Sequence, residues 1–166
     1  MRFLSDILPP HWLNQTQMAE LSHGLTGVAG EYYAAAELSR RGFIATVTIR
    51  NAERIDIMAS RPDGKRTLQI QVKTINSPTP KWILTEKNEH HRGPDFFYIM
   101  VRLGPIGTRP DFYIVPSEVV AEYVRTSHAT WLSRPKKDGS DRKDSSIRNF
   151  EDKECRFKEA WEQLDG

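Results

Sequence analysis

The chain predicts an α+β fold built on a central mixed β-sheet flanked by helices. Three observations carry this: one helical run near the N-terminus, three consecutive strand-like runs after it, and two later runs dense in aromatic and β-branched residues before helical spacing returns. Apolar residues make up 38% and charged residues 28% of the 166, the make-up of a globular chain rather than a disordered one. That length suits one domain, read as a lead-in over 1–24, a core over 25–116, and C-terminal helices with a basic loop over 117–166.

In order, the lead-in "MRFLSDILPPHWLNQTQ" carries an acid and a Pro-Pro pair where a signal peptide needs an unbroken apolar core, and Trp12 and Leu13 are expected to pack on the body. "TGVAGEYYAAAELSRRG" reads as a helix with Thr26 as N-cap and Gly42 as terminator. "FIATVTI", "RIDIMAS" and "RTLQIQVKT" read as strands, and "KWIL" as a further short one. "TEKNEHHRGP" reads as a turn or at most one or two helical turns. "DFFYIMVRL" and "DFYIVP" are two buried strands around a "GPIGTRP" turn. "SEVVAEYVR" is a short amphipathic helix, "SRPKKDGSDRKDSSIR" a long loop, and "EDKECRFKEAWEQL" a closing helix with Phe157, Trp161 and Leu164 at helical spacing.

The central feature is the hairpin "RIDIMASRPDGKRTLQIQVKT". Asp63-Gly64 predicts a two-residue type I′ turn, so that Ile57 pairs with Ile70 and Ile55 with Val72 on one face. Asp56 then stands opposite Gln71 on the other face, with Lys73 its diagonal neighbour at ~7–8 Å. A slip by one residue would mix the faces, so the apolar pattern selects this register. A carboxylate, an amide oxygen and the Val72 carbonyl can together hold one hard cation such as Mg²⁺. A lysine beside them can orient a water or neutralise charge on a phosphate, as a metal-dependent phosphodiester hydrolase requires. The competing reading is a polar, solvated sheet face.

On a helical wheel advancing about 100° per residue, Val28, Tyr32, Ala35 and Leu38 form the packing arc, and Glu31 falls inside it, while Glu37, Arg40 and Arg41 face solvent. A carboxylate on a packing face is costly without a partner. Either Glu31 snorkels to an arginine such as Arg50 or Arg54, or it leans over the sheet toward Asp56. The small neighbours Gly30, Ala34 and Ala35 would let the helix come close to the sheet.

Over about Gly24 to Pro116 these residues resemble the PD-(D/E)XK nuclease superfamily, the restriction-endonuclease-like fold with an αβββαβ core. They are most similar to its branch of Holliday-junction resolvases and methylation-dependent restriction enzymes, where a glutamine can replace the second acid. The resemblance implies a Mg²⁺- or Mn²⁺-dependent nuclease acting on DNA. It places catalytic roles on Glu31, Asp56, Gln71 and Lys73, and a cation on Glu31, Asp56, Gln71 and the Val72 carbonyl. It also implies that a homodimer is within the family's habit, although no interface signature stands in this sequence. Two departures are visible. Gln71 removes one full charge from the cation, and "TEKNEHHRGP" leaves little room for the family's second core helix.

The net charge of +2 does not by itself indicate a nucleic acid. Positive charge is instead local, with Arg50 and Arg54 near the hairpin and Lys136, Lys137, Arg142 and Lys143 in the 134–148 loop, where they would grip phosphates unless the mixed-charge loop is merely solvated. His90 and His91 are adjacent and cannot chelate as an i, i+4 pair would. They read as a surface turn or a DNA-contacting loop. Cys155 is the single cysteine, which excludes an internal disulfide and suits a reducing cytoplasm. No run of the sequence is apolar enough to cross a bilayer, and no serine-nucleophile or nucleotide-binding signature appears. The alternative to a nuclease is a non-catalytic nucleic-acid-binding or protein-interaction module on the same scaffold.

Overall fold

A computed structural model of the chain describes residues 21–48 and 54–165. In chain order these form α1 (His23–Arg40), β1 (Ile44–Val47), β2 (Ile57–Ser60), β3 (Thr67–Ile75), β4 (Lys81–Thr85), β5 (Phe96–Arg102), β6 (Asp111–Pro116), α2 (Ser117–Leu132) and β7 (Ile147–Glu151), with 3₁₀ turns at Glu86–Glu89 and Trp161–Leu164. The architecture is the expected α+β one. A five-stranded sheet runs β1-β2-β3-β5-β6, and β4 and β7 form a separate two-stranded ribbon. The main sheet is mixed, because β3 and β5 are parallel while its other neighbours are antiparallel. No described helix is long and apolar enough to cross a membrane.

The strands follow their side-chain pattern. β5 is buried from Phe96 to Val101, covered on both faces, which is why it reads as an unbroken apolar run rather than an alternating one. On one face Ala34 and Leu38 of α1 pack against Ile57, Leu68, Ile70, Val72 and Ile99. On the other, Tyr98, Met100 and Tyr113 pack against Val120 and Val124 of α2 and against Trp82, Leu84 and Phe150 of the ribbon. The β2–β3 register is the predicted one, Ile57 opposite Ile70 and Ser60 opposite Thr67.

The turn between them is not type I′. It is closed by the Gly64 N–H donating to the Arg61 carbonyl at 2.9 Å, and in Asp63-Gly64 the positive φ is confined to Gly64, at +67°. Pro62 sets the second turn position at a negative φ, which moves the turn back by one residue. The α1 N-cap is also corrected. Ser22, not Thr26, accepts from the Leu25 N–H at 3.3 Å, and Thr26 is buried one turn later. Gly42 ends the helix as expected, at φ +82° with Gly42 and Phe43 N–H groups donating to the Ser39 and Leu38 carbonyls, a Schellman closure.

The predicted C-terminal helix does not form. Asp152 is buried and accepts from the Arg156 and Phe157 N–H groups at 3.0 and 2.8 Å, which offers the backbone a local turn instead of a helix. Cys155 and Glu159 take positive φ, and the segment pairs with the free edge of β6 through Ile114 N–H to the Phe157 carbonyl and Glu159 N–H to the Phe112 carbonyl. Closing that edge outweighs helical spacing. The α2 helix runs further than its apolar pattern, to Leu132, where His128 stacks on Trp131 and bonds Asp144 at 2.7 Å.

The wheel assignment of α1 is rotated. Glu37 is 6% exposed whereas Tyr32 is 66% exposed. Arg109, from the turn before β6, brings its guanidinium to Glu37 at 3.0 Å and to Glu159 at 2.9 Å, and Arg41 also pairs with Glu37. The carboxylate is thus buried because cations come to it. These bonds, that of Arg109 foremost, hold the Glu37 carboxyl down at about 2 against the opposing effect of burial. Its contribution is complete above the ordinary carboxylate value of 4.5 and is lost as pH falls toward 2, on the order of 3 kcal/mol in all. Glu37→Gln is expected to lower stability at neutral pH and to flatten its fall between about pH 4.5 and 2, read from urea unfolding midpoints at a series of pH values.

Helix α1 crosses β3 closely at one point. A Cβ added to Gly30 would lie 1.8 Å from the Thr74 hydroxyl oxygen and 2.8 Å from its Cβ, so only glycine fits there. Gly30→Ala should lower the melting temperature by several degrees in a circular-dichroism melt, since overpacking costs about 1–3 kcal/mol and exceeds the ~1 kcal/mol that alanine adds to the helix.

Candidate active site

The ladder between β2 and β3 changes character just before Ile57. Arg54 takes a left-handed conformation at φ +77°, and Thr48, at the end of β1, holds the Ile55–Asp56 backbone by its hydroxyl on the Ile55 carbonyl and its N–H on the Asp56 carbonyl at 2.9 Å. The Asp56 N–H donates to the Ile70 carbonyl at 2.9 Å, one residue out of step with the Ile57–Ile70 pairing. Such a local break re-aims a side chain, as β-bulges do. The Asp56 Oδ2 then accepts from the Val72 N–H at 2.7 Å. The carboxylate therefore lies across the opening between the strands, on the backbone of the residue between Gln71 and Lys73. The regular Ile55–Val72 pairing expected from the sequence gives way to this contact.

Gln71 and Lys73 are half-buried and alternate with Val72, on the face of β3 away from α1. Gln71 has a neighbour that sequence reasoning missed. Asn88, 5% exposed, accepts from the Thr85 N–H at 2.8 Å and donates to the Tyr98 hydroxyl at 2.9 Å and to the Gln71 Oε1 at 3.4 Å. The trace of it in the sequence is "TEKN", whose Thr85 and Asn88 form a reciprocal capping box at Glu86–Glu89.

Glu31 is half-buried, immediately after Gly30 on α1, which lies over the other face of β3. The structure thus joins Asp56 to the Gln71–Lys73 segment directly, while Glu31 stands on α1 one residue after the Gly30 that crosses Thr74, on the opposite face of β3. Arg50 lies outside the described residues. Arg54 is exposed and, with His90, His91, Arg92 and Gln69, lines a groove of about 420 Å³. His91 is pushed below its ordinary value first by burial and then by the charges of Arg54, Lys87, His90 and Lys73, so it is neutral at pH 7 among cations. Lys136, Lys137, Arg142 and Lys143 are not among the residues lining this groove. They stand on the loop leading into β7, while Arg148 has left that loop and is buried in β7 against Glu89.

The donor set suits a hard cation in kind. Asp56 keeps one carboxylate oxygen after bonding Val72, and the Val72 carbonyl faces the same side of β3 as its N–H. Gln71 adds an amide oxygen. Among the described residues no three His, Cys, Asp or Glu side chains gather into a metal cluster. Such a site keeps several waters, as Mg²⁺ prefers.

No protein-family model and no curated protein matches the sequence. The five-stranded α/β architecture is a nuclease-like fold. Among solved structures it is similar to a bacterial homing endonuclease, I-Ssp6803I, at 15% identity and a TM-score of 0.50, over 87% of this chain and 92% of that one.

Asn88→Leu should destabilise the protein by roughly 2 kcal/mol, because it leaves the Thr85 N–H and the buried Tyr98 hydroxyl without a bond. A denaturant midpoint unchanged from wild type would show that the Asn88 contacts are incidental.

Proposed function

We propose that the protein is a metal-dependent endonuclease of the PD-(D/E)XK kind acting on DNA. The observation that carries this reading is the Asp56 carboxylate seated on the Val72 amide, between Gln71 and Lys73, beside a groove lined by Arg54, His90, His91 and Arg92. Asp56, the Val72 carbonyl and Gln71, with Glu31 from α1, would hold Mg²⁺ or Mn²⁺. When bound, the cation supplies Lewis-acid stabilisation of a phosphoryl oxygen.

The chain's own residues do the rest. Arg54 and Arg92 neutralise the phosphates that flank the scissile one. Lys73 offers a compact ammonium that orients the attacking water and offsets charge building on the phosphate. The neutral His91 gains affinity for a proton once a phosphate occupies the groove, which adds a cation where the substrate lies. A DNA-cleaving role agrees with a reducing cytoplasm, where a single exposed Cys155 stays free.

Asp56→Asn keeps an acceptor for the Val72 N–H while removing the charge, and Lys73→Ala removes the amine. Each is expected to lower Mg²⁺- or Mn²⁺-dependent cleavage of duplex or branched DNA about 100-fold or more, with the circular-dichroism spectrum unchanged. A wild-type protein that binds DNA yet cleaves none in either metal would favour the non-catalytic module, for which the uncharged Gln71 speaks. Full activity in either variant would overturn the assignment of that residue.

A further inference from the structure

The ribbon of β4 and β7 has an outer face that the nuclease reading does not use. Lys81 pairs with Glu151, Ile83 with Asn149 and Thr85 with Ile147, and these alternate with the inward Trp82, Leu84, Arg148 and Phe150. Ile83 is 70% and Ile147 54% exposed. The two exposed isoleucines serve no internal core, and Ile147 and the half-buried Asn149 also form, with Lys81 and Glu151, one wall of an open groove of about 480 Å³ whose other wall is Tyr123, Ser127, His128 and Trp131 of α2.

We infer that this face is the sequence-reading surface for duplex DNA, with the ribbon entering the major groove. The inference rests on the DNA reading of the active site and says where the duplex is recognised. Three observations favour DNA as the occupant. The first is size: two strands ~4.8 Å apart with their side chains fit the ~12 Å major groove, which admits a two-stranded ribbon. The second is chemistry. Asn149 can pair with an adenine edge, and Ile83 and Ile147 can meet thymine methyls, which are the contacts the major groove offers to amides and apolar groups.

The third is charge and continuity. The loop running into β7 carries exposed Arg134, Lys136, Lys137 and Lys143, and two of its three acids are hydrogen-bonded, Asp138 with Ser140 and Asp144 with His128. At that same end, where Thr85 pairs with Ile147, the ribbon is tied to the active-site groove. Thr85 leads directly into Glu86–Glu89 and the His90–Arg92 segment, and Arg148 pairs with Glu89. Base contacts by the ribbon and phosphate contacts by the loop would fix where the backbone crosses Asp56.

The test is selection of binding sites from a random-sequence 30-base-pair duplex library by the full chain in EDTA, which removes any dependence on metal. Wild type should select a motif. Ile83→Ser with Asn149→Ala should lose the preference at roughly two to four adjacent base pairs and weaken binding to the selected site about tenfold, leaving affinity for unselected duplex unchanged. Lys136→Gln with Lys137→Gln should instead weaken all duplexes alike and reduce the salt slope by about two. Ile147→Ser serves as a second ribbon variant. An unaltered motif in the ribbon variants, or no motif for wild type, would overturn the inference. So would a ribbon variant whose effect is a change of oligomeric state in sedimentation velocity, which would make the face a contact between two copies of the chain. Cleavage that depends on Asp56 without ribbon-dependent selection would sink this inference alone. Ribbon-dependent selection without any cleavage would sink the enzyme reading alone.

Discussion

The hydrogen bond from the Val72 amide to the Asp56 carboxylate, 2.7 Å long, sits where a regular ladder would have used main chain for both ends. A strand amide buried between layers must be paired, and main chain is the ordinary solution. Here a charged side chain takes that place, which fixes the carboxylate against β3 and leaves the strands apart at this point. Thr48 and the left-handed Arg54 hold the other side of the opening. The local break is therefore not a defect of the sheet. It holds the Asp56 carboxylate between β2 and β3, next to Ile55, which lines the groove of Arg54, His90, His91 and Arg92.

The strand core and the Ile57–Ile70 register were legible because period-2 alternation leaves few ways to pair "RIDIMAS" with "LQIQVKT", even though the Asp63-Gly64 type I′ turn expected to set it does not form. The shared face of Gln71 and Lys73 followed from that alternation, whereas Asp56, expected opposite Gln71, reaches the Val72 amide through a break in the ladder. What escaped was nonlocal. The wheel put Glu37 in water because nothing within α1 announces that Arg109, far along the chain, will reach it. The last segment was read as a helix from the spacing of Phe157, Trp161 and Leu164. Those residues are still used, Trp161 against Phe112 and Leu164 in the α1-side core, but by a chain that follows the β6 edge. Asn88 went unnoticed because its importance comes from Gln71 and Tyr98, which adjoin it only in the fold.

Asn88 also bears on the residue that departs most from the resemblance. An acid at position 71 would meet the Asn88 amide equally well, so the scaffold does not demand a glutamine. What the amide changes is charge. In the proposed site a neutral Gln71 would leave only Asp56 and Glu31 to offset a divalent ion, with no surplus negative charge to repel an incoming phosphate. Weaker cation binding and easier substrate approach would then both follow from the amide at position 71.

The cations around the groove act in the opposite sense. Burial together with Arg54, Lys87 and Lys73 keeps His91 neutral, so the empty groove holds less positive charge than its residue types suggest. A phosphate changes that balance, because a nearby anion favours the imidazolium. Occupied, the groove gains a charge by taking up a proton. Phosphate affinity at this face should therefore strengthen as pH falls through the range in which the occupied His91 titrates, and His91→Ala should abolish that dependence while leaving the Arg54 and Arg92 contribution in place. Fluorescence anisotropy of a labelled duplex in EDTA, followed between about pH 5 and 8, measures it. A slope that survives in His91→Ala would assign the proton to another group, His90 being the adjacent choice.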